Sequence, residues 1–267
     1  MSFERQRSGS FQKRLRQLAA PLLVATTLFA PQAQAFDDKQ TGEIETIVRN
    51  YLIEHPEVLL ESLQALETKR AAEAKAGQSE TIARLQDRLL SSPVGTVAGN
   101  PDGDVTLVEF FDYNCGYCRR AASDLKVLLE SDPKLRVVYK EIPVLGPPSE
   151  AAARVSLAFR EAKPQSYPAF QKELLASRAQ VDEARALAVA SEMGVDEATL
   201  RPLMGGSTVA AALGESAELA SALGITGTPS YVVGDELVPG AVGADALAEK
   251  IASVRACGSA TCPPTPN

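Results

Sequence analysis

Two hydrophobic periods divide this 267-residue chain. In the first, Ile44, Ile47, Val48, Tyr51 and Leu52 recur at three- and four-residue intervals and so line one face of a helix. Pro56 interrupts the pattern, and Val58, Leu59, Leu60, Leu63 and Leu66 resume it. From Lys69 to Lys75 the stretch is alanine-rich. Gly77 loosens it, and Ile82, Leu85, Leu89 and Leu90 close it. Residues 36–91 therefore predict a long, charged helical segment with a thin apolar stripe. Such a helix cannot bury its stripe on itself. It packs either on its own domain or on copies of itself, and its length and charge favour copies, which makes it an oligomerisation segment. Ser91-Ser92-Pro93 and Ala98-Gly99-Asn100-Pro101-Asp102-Gly103 then mark a turn-rich boundary, with Val94 to Val97 as a short strand between them.

Beyond the boundary the pattern changes. Val105 to Phe111 and Leu135 to Ile142 are rich in apolar, β-branched and aromatic residues, which predicts buried strands. A helix fills the gap between them as far as about Glu130, stopped by Asp132-Pro133. Pro143 and Gly146-Pro147-Pro148 end the second strand. The helical period then returns in five pieces: Ser149 to Ala162, Tyr167 to Ala176, Val181 to Met193, Asp196 to Met204 and Thr208 to Leu223. Gly194, Gly205-Gly206 and Gly224 punctuate them. Strands at Ser230 to Val233 and Glu236 to Pro239 flank the turn Gly234-Asp235. A last helix runs from Ala244 to about Arg255. This order is an α/β layout over residues 92–256, and the helical block at about 149–223 is too large for a simple crossover, so it is an inserted subdomain.

The first 35 residues stand apart. Arg5, Arg7, Lys13, Arg14 and Arg16 precede an apolar stretch from Leu18 to Ala30, and Ala33-Gln34-Ala35 supplies a small-x-small cleavage site. Residues 1–35 read as a cleavable secretory signal peptide, too short in its apolar core to span a membrane comfortably. No adjacent arginine pair marks it for folded export. The expected destination is the periplasm. Net charge over the whole chain is −7, and the basic leader leaves the remainder more acidic still. That balance argues against nucleic acid as a partner. A chain of this length builds a core without disulfide staples. Its four cysteines therefore need individual explanations.

Two of them lie in Cys115-Gly116-Tyr117-Cys118, where a predicted strand gives way to a predicted helix. Thiols three residues apart can close a small, reversible disulfide. The dipole and unpaired N–H groups of a helix N-terminus favour a thiolate there. Cys115, at the helix start, is the candidate nucleophile. Cys118, one turn inside, is suited to resolve a mixed disulfide, and Arg119 and Arg120 add positive field. Half of a zinc site is the bland alternative, with Cys257 and Cys262 as conceivable further ligands, but strand-to-helix placement suits redox chemistry better. No metal and no cofactor is expected. The second signal is Thr228-Pro229 at the start of a strand. A cis bond there would turn the Thr228 backbone outward beside the cysteines, where an extended peptide could pair with it. Cys257 and Cys262, in a tail (residues 257–267) ending Pro-Pro-Thr-Pro-Asn, read as a small structural disulfide or, alternatively, as a second exchange or metal-binding pair.

Glu-Phe-Phe-Asp-Tyr-Asn-Cys-Gly-Tyr-Cys, the helical insertion, Thr-Pro, the hairpin and the final helix together resemble the DsbA-like branch of the thioredoxin superfamily. With the helical extension, the chain is most similar to the suppressor-of-copper-sensitivity protein C group, well over residues 92–256 and loosely over 38–90. The resemblance implies a thioredoxin fold with a helical insertion, attack by Cys115, resolution by Cys118 and a cis Pro229. It aligns Glu109 with the family's buried acidic residue, where a carboxylate can relay protons to or from Cys118. The bland alternative is an exposed edge glutamate or a structural ion pair, for which Lys140 on the next strand is the candidate partner. Gly116-Tyr117 departs from the Pro-His of the strongly oxidising archetype and so tunes the redox poise. Group members with a helical extension can form trimers and act as isomerases, which implies a homo-oligomer through residues 36–91. Implied partners are unfolded or misoxidised exported proteins and a membrane redox protein that resets the dithiol. A monomeric oxidase is the near alternative. A copper-tolerance module holding Cu(I) on the same thiols is the distant one.

Overall fold

The computed structural model describes residues 36–92 and 97–263; the signal-peptide assignment and most of the predicted strand Val94 to Val97 lie outside them, and the observed strand there runs Val97–Gly99, into the predicted turn. The chain divides into two compact units between Glu61 and Ser62.

In the first unit, α1 spans Asp38–Glu54. Asp37 caps it: its carboxylate accepts from the Gln40 N–H at 2.7 Å, and the Gln40 side chain accepts in return from the Asp37 N–H at 3.0 Å. The helix ends at His55, whose ring lies 4.7 Å from that of Tyr51. Pro56 separates it from α2, Glu57–Leu90. Ile44, Ile47, Val48, Tyr51, Leu59 and Leu60 are all exposed.

The second unit is built on five strands: β1 (Val97–Gly99), β2 (Val105–Phe111), β3 (Leu135–Glu141), β4 (Ser230–Val233) and β5 (Glu236–Pro239), in the order β1-β3-β2-β4-β5. Only β2 and β3 run parallel, and the other pairs are antiparallel. The helices are α3 (Gly116–Ser131), α4 (Pro147–Ala162), α5 (Tyr167–Leu175), α6 (Glu183–Glu192), α7 (Glu197–Met204), α8 (Ser207–Ala222) and α9 (Ala244–Cys257). Helices α4 to α8 form the inserted block. Strand β3 ends ahead of Pro143, and Pro147 and Pro148 open α4 two residues before the predicted start at Ser149, where a proline's missing N–H costs nothing.

The central strands are mostly apolar because both of their faces are covered. Leu107 and Phe111 of β2, Val137 and Tyr139 of β3, and Tyr231 and Val233 of β4 pack with Leu125 and Leu128 of α3, Leu247 and Ile251 of α9, and Phe159 and Phe170 of the insertion. On the other face Val108, Phe110, Val138 and Val232 pack with Leu219 and Leu223 near α8, and with Ile82 and Leu89 of α2. The last turns of α2 are thus part of the domain core. The packing boundary lies inside α2, not at residue 92. Arg88 pairs with Glu218 at 2.8 Å, and Gln78 accepts from the Leu237 N–H of edge strand β5 at 3.2 Å. Pairing the far end of this helix with the sheet gives it the partner that its thin stripe lacks.

Candidate active site

The site forms where β2 hands over to α3. Cys115 is the N-cap of α3, with extended backbone, and its sulfur accepts from the Cys118 N–H at 3.4 Å. A cap position leaves the first turn's N–H groups pointing at this sulfur. Cys118, one turn in, is fully buried, and burial pushes its thiol up. Both are free thiols. The loop before β4 closes over them. Its Thr228–Pro229 bond is cis, and the Thr228 carbonyl accepts from the Cys115 thiol at 3.1 Å.

Gly116 and Tyr117 face outward. A Cβ at Gly116 would meet nothing within 4 Å, so this position has room for a side chain. Tyr117 is 59% exposed, with the Arg120 guanidinium 4.3 Å from its ring centre. Arg119 turns toward the insertion and donates to the Ala179 carbonyl at 3.3 Å.

Under the cysteines lies Glu109, 1% exposed on the face of β2 turned to α3. Burial pushes its carboxyl up to about 8, and the charge on Cys115 adds to the effect. Lys140, the candidate partner for an ion pair, is not beside it. Glu109 is opposite Tyr139 in register, and Lys140 is one residue on, so strand alternation sends the lysine to the other face. There its ammonium lies 3.5 Å from Glu215 and donates to the carbonyls of Arg88 and Ser91 at 2.9 and 3.0 Å. Lys140 therefore ties α2 to α8 and the sheet.

Residues 106–252 match the family described as DSBA-like thioredoxin domain. The chain belongs to that family. Residues 40–73 match the family described as Copper resistance protein ScsC N-terminal domain. A thioredoxin-like oxidoreductase from Silicibacter pomeroyi is similar at 43% identity and TM-score 0.61, over 64% of this chain and 98% of the other. Proteus mirabilis ScsC in a transitional conformation is similar at 30% identity and TM-score 0.61, over 83% and 98%. A periplasmic thioredoxin-like protein from Salmonella enterica serovar Typhimurium is similar at 28% identity and TM-score 0.58, over 64% and 96%. Among curated sequences, the chain spans 35% of a Na(+)/H(+) antiporter, NhaA 3, of Salinispora tropica, which it matches at 25% identity over 87% of its own length. Most of that antiporter lies outside the match. No described helix is long and apolar enough to cross a membrane.

This DsbA-like domain holds its cysteine loop with polar residues that sequence reasoning did not single out. Asp112, buried between β2 and α3, accepts from the Asn114 N–H (2.7 Å), the Ser149 hydroxyl (2.8 Å) and the Leu145 N–H (3.1 Å). Asn114 in turn donates to Ser149 and to the Val181 carbonyl, both at 2.9 Å, and accepts from the Val181 N–H at 2.8 Å. Asp112 and Asn114 thereby lock the loop to the insertion. Their signal in the sequence is their place in the run that leads into Cys115.

Glu141, at the end of β3, is a second buried carboxyl. It accepts from Ser156 and Tyr167 at 2.8 Å each and from Tyr113 at 3.3 Å. Burial pushes it up to about 7 despite these donors. Cys257 and Cys262 form a disulfide with Cα atoms 5.9 Å apart. Gly258 takes the left-handed conformation (φ 78°) that turns the chain back after α9. The tail then docks on the β4–β5 turn: Asp235 accepts from the Ser259 hydroxyl and from the Ala260 N–H, each at 2.9 Å. Among the described residues, no group of three or more histidine, cysteine or acidic side chains is arranged to hold a metal ion.

Proposed function

We propose that this DsbA-like protein is a periplasmic thiol–disulfide oxidoreductase acting on exported proteins, and that it works as a disulfide isomerase. The observation that carries the exchange chemistry is the Cys115 sulfur. It sits at the start of α3, 3.1 Å from the Thr228 carbonyl, with Cys118 buried one turn below. In this reading the Cys115 thiolate attacks a substrate disulfide. An extended substrate segment lies along the backbone of Thr228 and Pro229, in the manner of an added strand. Cys118 gives its proton to Glu109 and displaces the substrate from Cys115. Gly116 and Tyr117 set the redox poise and the contact with substrate. Cys257 and Cys262 clip the tail.

Two observations support the isomerase assignment. The apolar face of α1 is exposed, and residues 40–73 match an ScsC N-terminal domain. A homo-oligomer, most simply a trimer, joined through residues 36–91 would hold several Cys115 sites around one misoxidised substrate. That raises the effective concentration of the second attack. A membrane redox partner would keep the pair reduced. The leader at residues 1–35 supports the periplasmic assignment.

The test is reactivation of scrambled ribonuclease by the mature chain, with its mass measured by light scattering. Activity is expected from an oligomer and is expected to vanish in Cys115→Ser. Undiminished reactivation by Cys115→Ser would sink the exchange reading. A monomeric mass with dithiol-oxidising activity alone would leave the oxidase alternative. Stoichiometric Cu(I) binding without insulin reduction would leave the copper-tolerance one.

A further inference from the structure

Across the face of the sheet turned to α3, three neighbouring strands place a phenol, a carboxyl and a phenol in one row. Tyr139 of β3 and Tyr231 of β4 are both opposite Glu109 of β2 in register. Directly opposed residues of an antiparallel pair hold their Cβ atoms about 5 Å apart, so Tyr231 and Glu109 are immediate neighbours. Neither oxygen of Glu109 has a hydrogen-bond partner in the protein, and nor does the Tyr231 hydroxyl. Buried polar atoms are rarely left so, and each calls for an explanation.

Among the described residues no cation is paired with this row: Arg119, which borders a cavity with Tyr139, donates to the Ala179 carbonyl. From α3, Cys115, Cys118 and Asp124 face the row. From α9, Lys250 is held by Glu236, and Arg255 by Asp104 and Asp132. Lys140 is on the opposite face. Among the described residues, a carboxylate at Glu109 thus has phenols, not cations, as its stabilising neighbours. Of the two, Tyr139 borders a cavity of about 530 Å³ shared with Arg119 and Gln171, whereas the Tyr231 hydroxyl is enclosed.

We infer that Tyr231 is a positioning residue for the proton step: its O–H donates to the Glu109 carboxylate and so sets how readily Glu109 takes the proton of Cys118. This rests on the roles proposed above for Cys115, Cys118 and Glu109. The step balances. Cys118 passes its proton to Glu109, and its thiolate attacks the Cys115 sulfur of the mixed disulfide. The bond from Cys115 to the substrate sulfur breaks, and the substrate leaves as a thiolate. The protein's dithiol is oxidised by two electrons and the substrate disulfide is reduced by two. A donor to the ionised carboxylate favours that form, so Tyr231 keeps Glu109 able to accept a proton near neutral pH.

The test follows resolution by Cys118 directly. Reduced full-length mature protein is mixed with saturating oxidised glutathione and quenched in acid. The mixed and internal disulfides are counted by mass across a pH series. The unsubstituted protein is expected to resolve faster as pH rises through Glu109's titration, and Glu109→Gln to lose that limb. Tyr231→Phe, which keeps the ring and removes only the hydroxyl, is expected to move the limb to higher pH. Its resolution rate at pH 7 should fall about five- to tenfold. Tyr139→Phe should leave the limb in place, and Tyr231→Phe should add nothing on a Glu109→Gln background. An unmoved limb in Tyr231→Phe, or an equal effect on the Glu109→Gln background, overturns the proposal. If the unsubstituted protein forms no mixed disulfide at Cys115, the exchange reading fails first and takes this proposal with it. Thermal unfolding of each variant confirms that the fold is kept.

Discussion

Glu109 costs the fold stability at the pH where its chemistry is useful. Its carboxyl holds a proton up to about 8 in the folded chain, against 4.5 ordinarily. Between those values the unfolded chain releases the proton and the folded chain keeps it. Stability therefore falls as pH rises from about 4.5 to about 8 and levels off above. Glu141, pushed up to about 7, adds a slope of the same sign. Glu109→Gln removes only the first contribution. Its melting midpoint is expected to match that of the unsubstituted protein at pH 4 and to exceed it by several degrees at pH 8.5, measured by calorimetry at both values. A constant difference across the two would mean that Glu109 does not titrate as its burial requires. At this scale the cysteine tetrad and Thr228-Pro229 were legible, because their spacing has few other uses. Asp112, Asn114 and Ser149 were not. They look like ordinary turn and cap residues until folding brings partners 35 and 67 positions away into contact.

Helix α2 carries two different kinds of apolar residue on one period. Leu89 is 1% exposed, packed on the sheet with Ile82 and Val108, whereas Leu60 is 63% exposed. Truncating Leu89 to Ala leaves a cavity in a filled core and is expected to cost about 2–5 kcal/mol, visible as a lower denaturant midpoint. Leu60→Ala is expected to leave that midpoint nearly unchanged and to lower the molar mass from light scattering, if this face joins copies of the chain. The heptad-like pattern looks the same at both positions, because periodicity reports a sticky face and not what covers it. The same gap between pattern and packing misplaced Lys140. Adjacent residues of a strand face opposite ways, and which neighbour shares a face with Glu109 depends on register.

At the scale of the whole molecule, the division at residue 61 predicts separable tasks. Removing residues 36–61 leaves a unit with both faces of its sheet still covered. That truncated chain is expected to run as a monomer and to reduce insulin at close to the full rate per site. It should lose most of its reactivation of scrambled ribonuclease, because single sites cannot re-attack a substrate at high effective concentration. Full ribonuclease reactivation by the monomer would remove the oligomer from the mechanism. The sequence by itself determined the order of strands and helices, the inserted block and the cysteine pair at a strand-to-helix junction, all of which rest on local periodicity and short spacing. Tertiary structure alone decided that α2 ends in the core, that Lys140 belongs to α8 rather than to Glu109, and that phenols flank the buried carboxyl. Those facts depend on strand register and on which surfaces meet, and neither is encoded within any one stretch of chain.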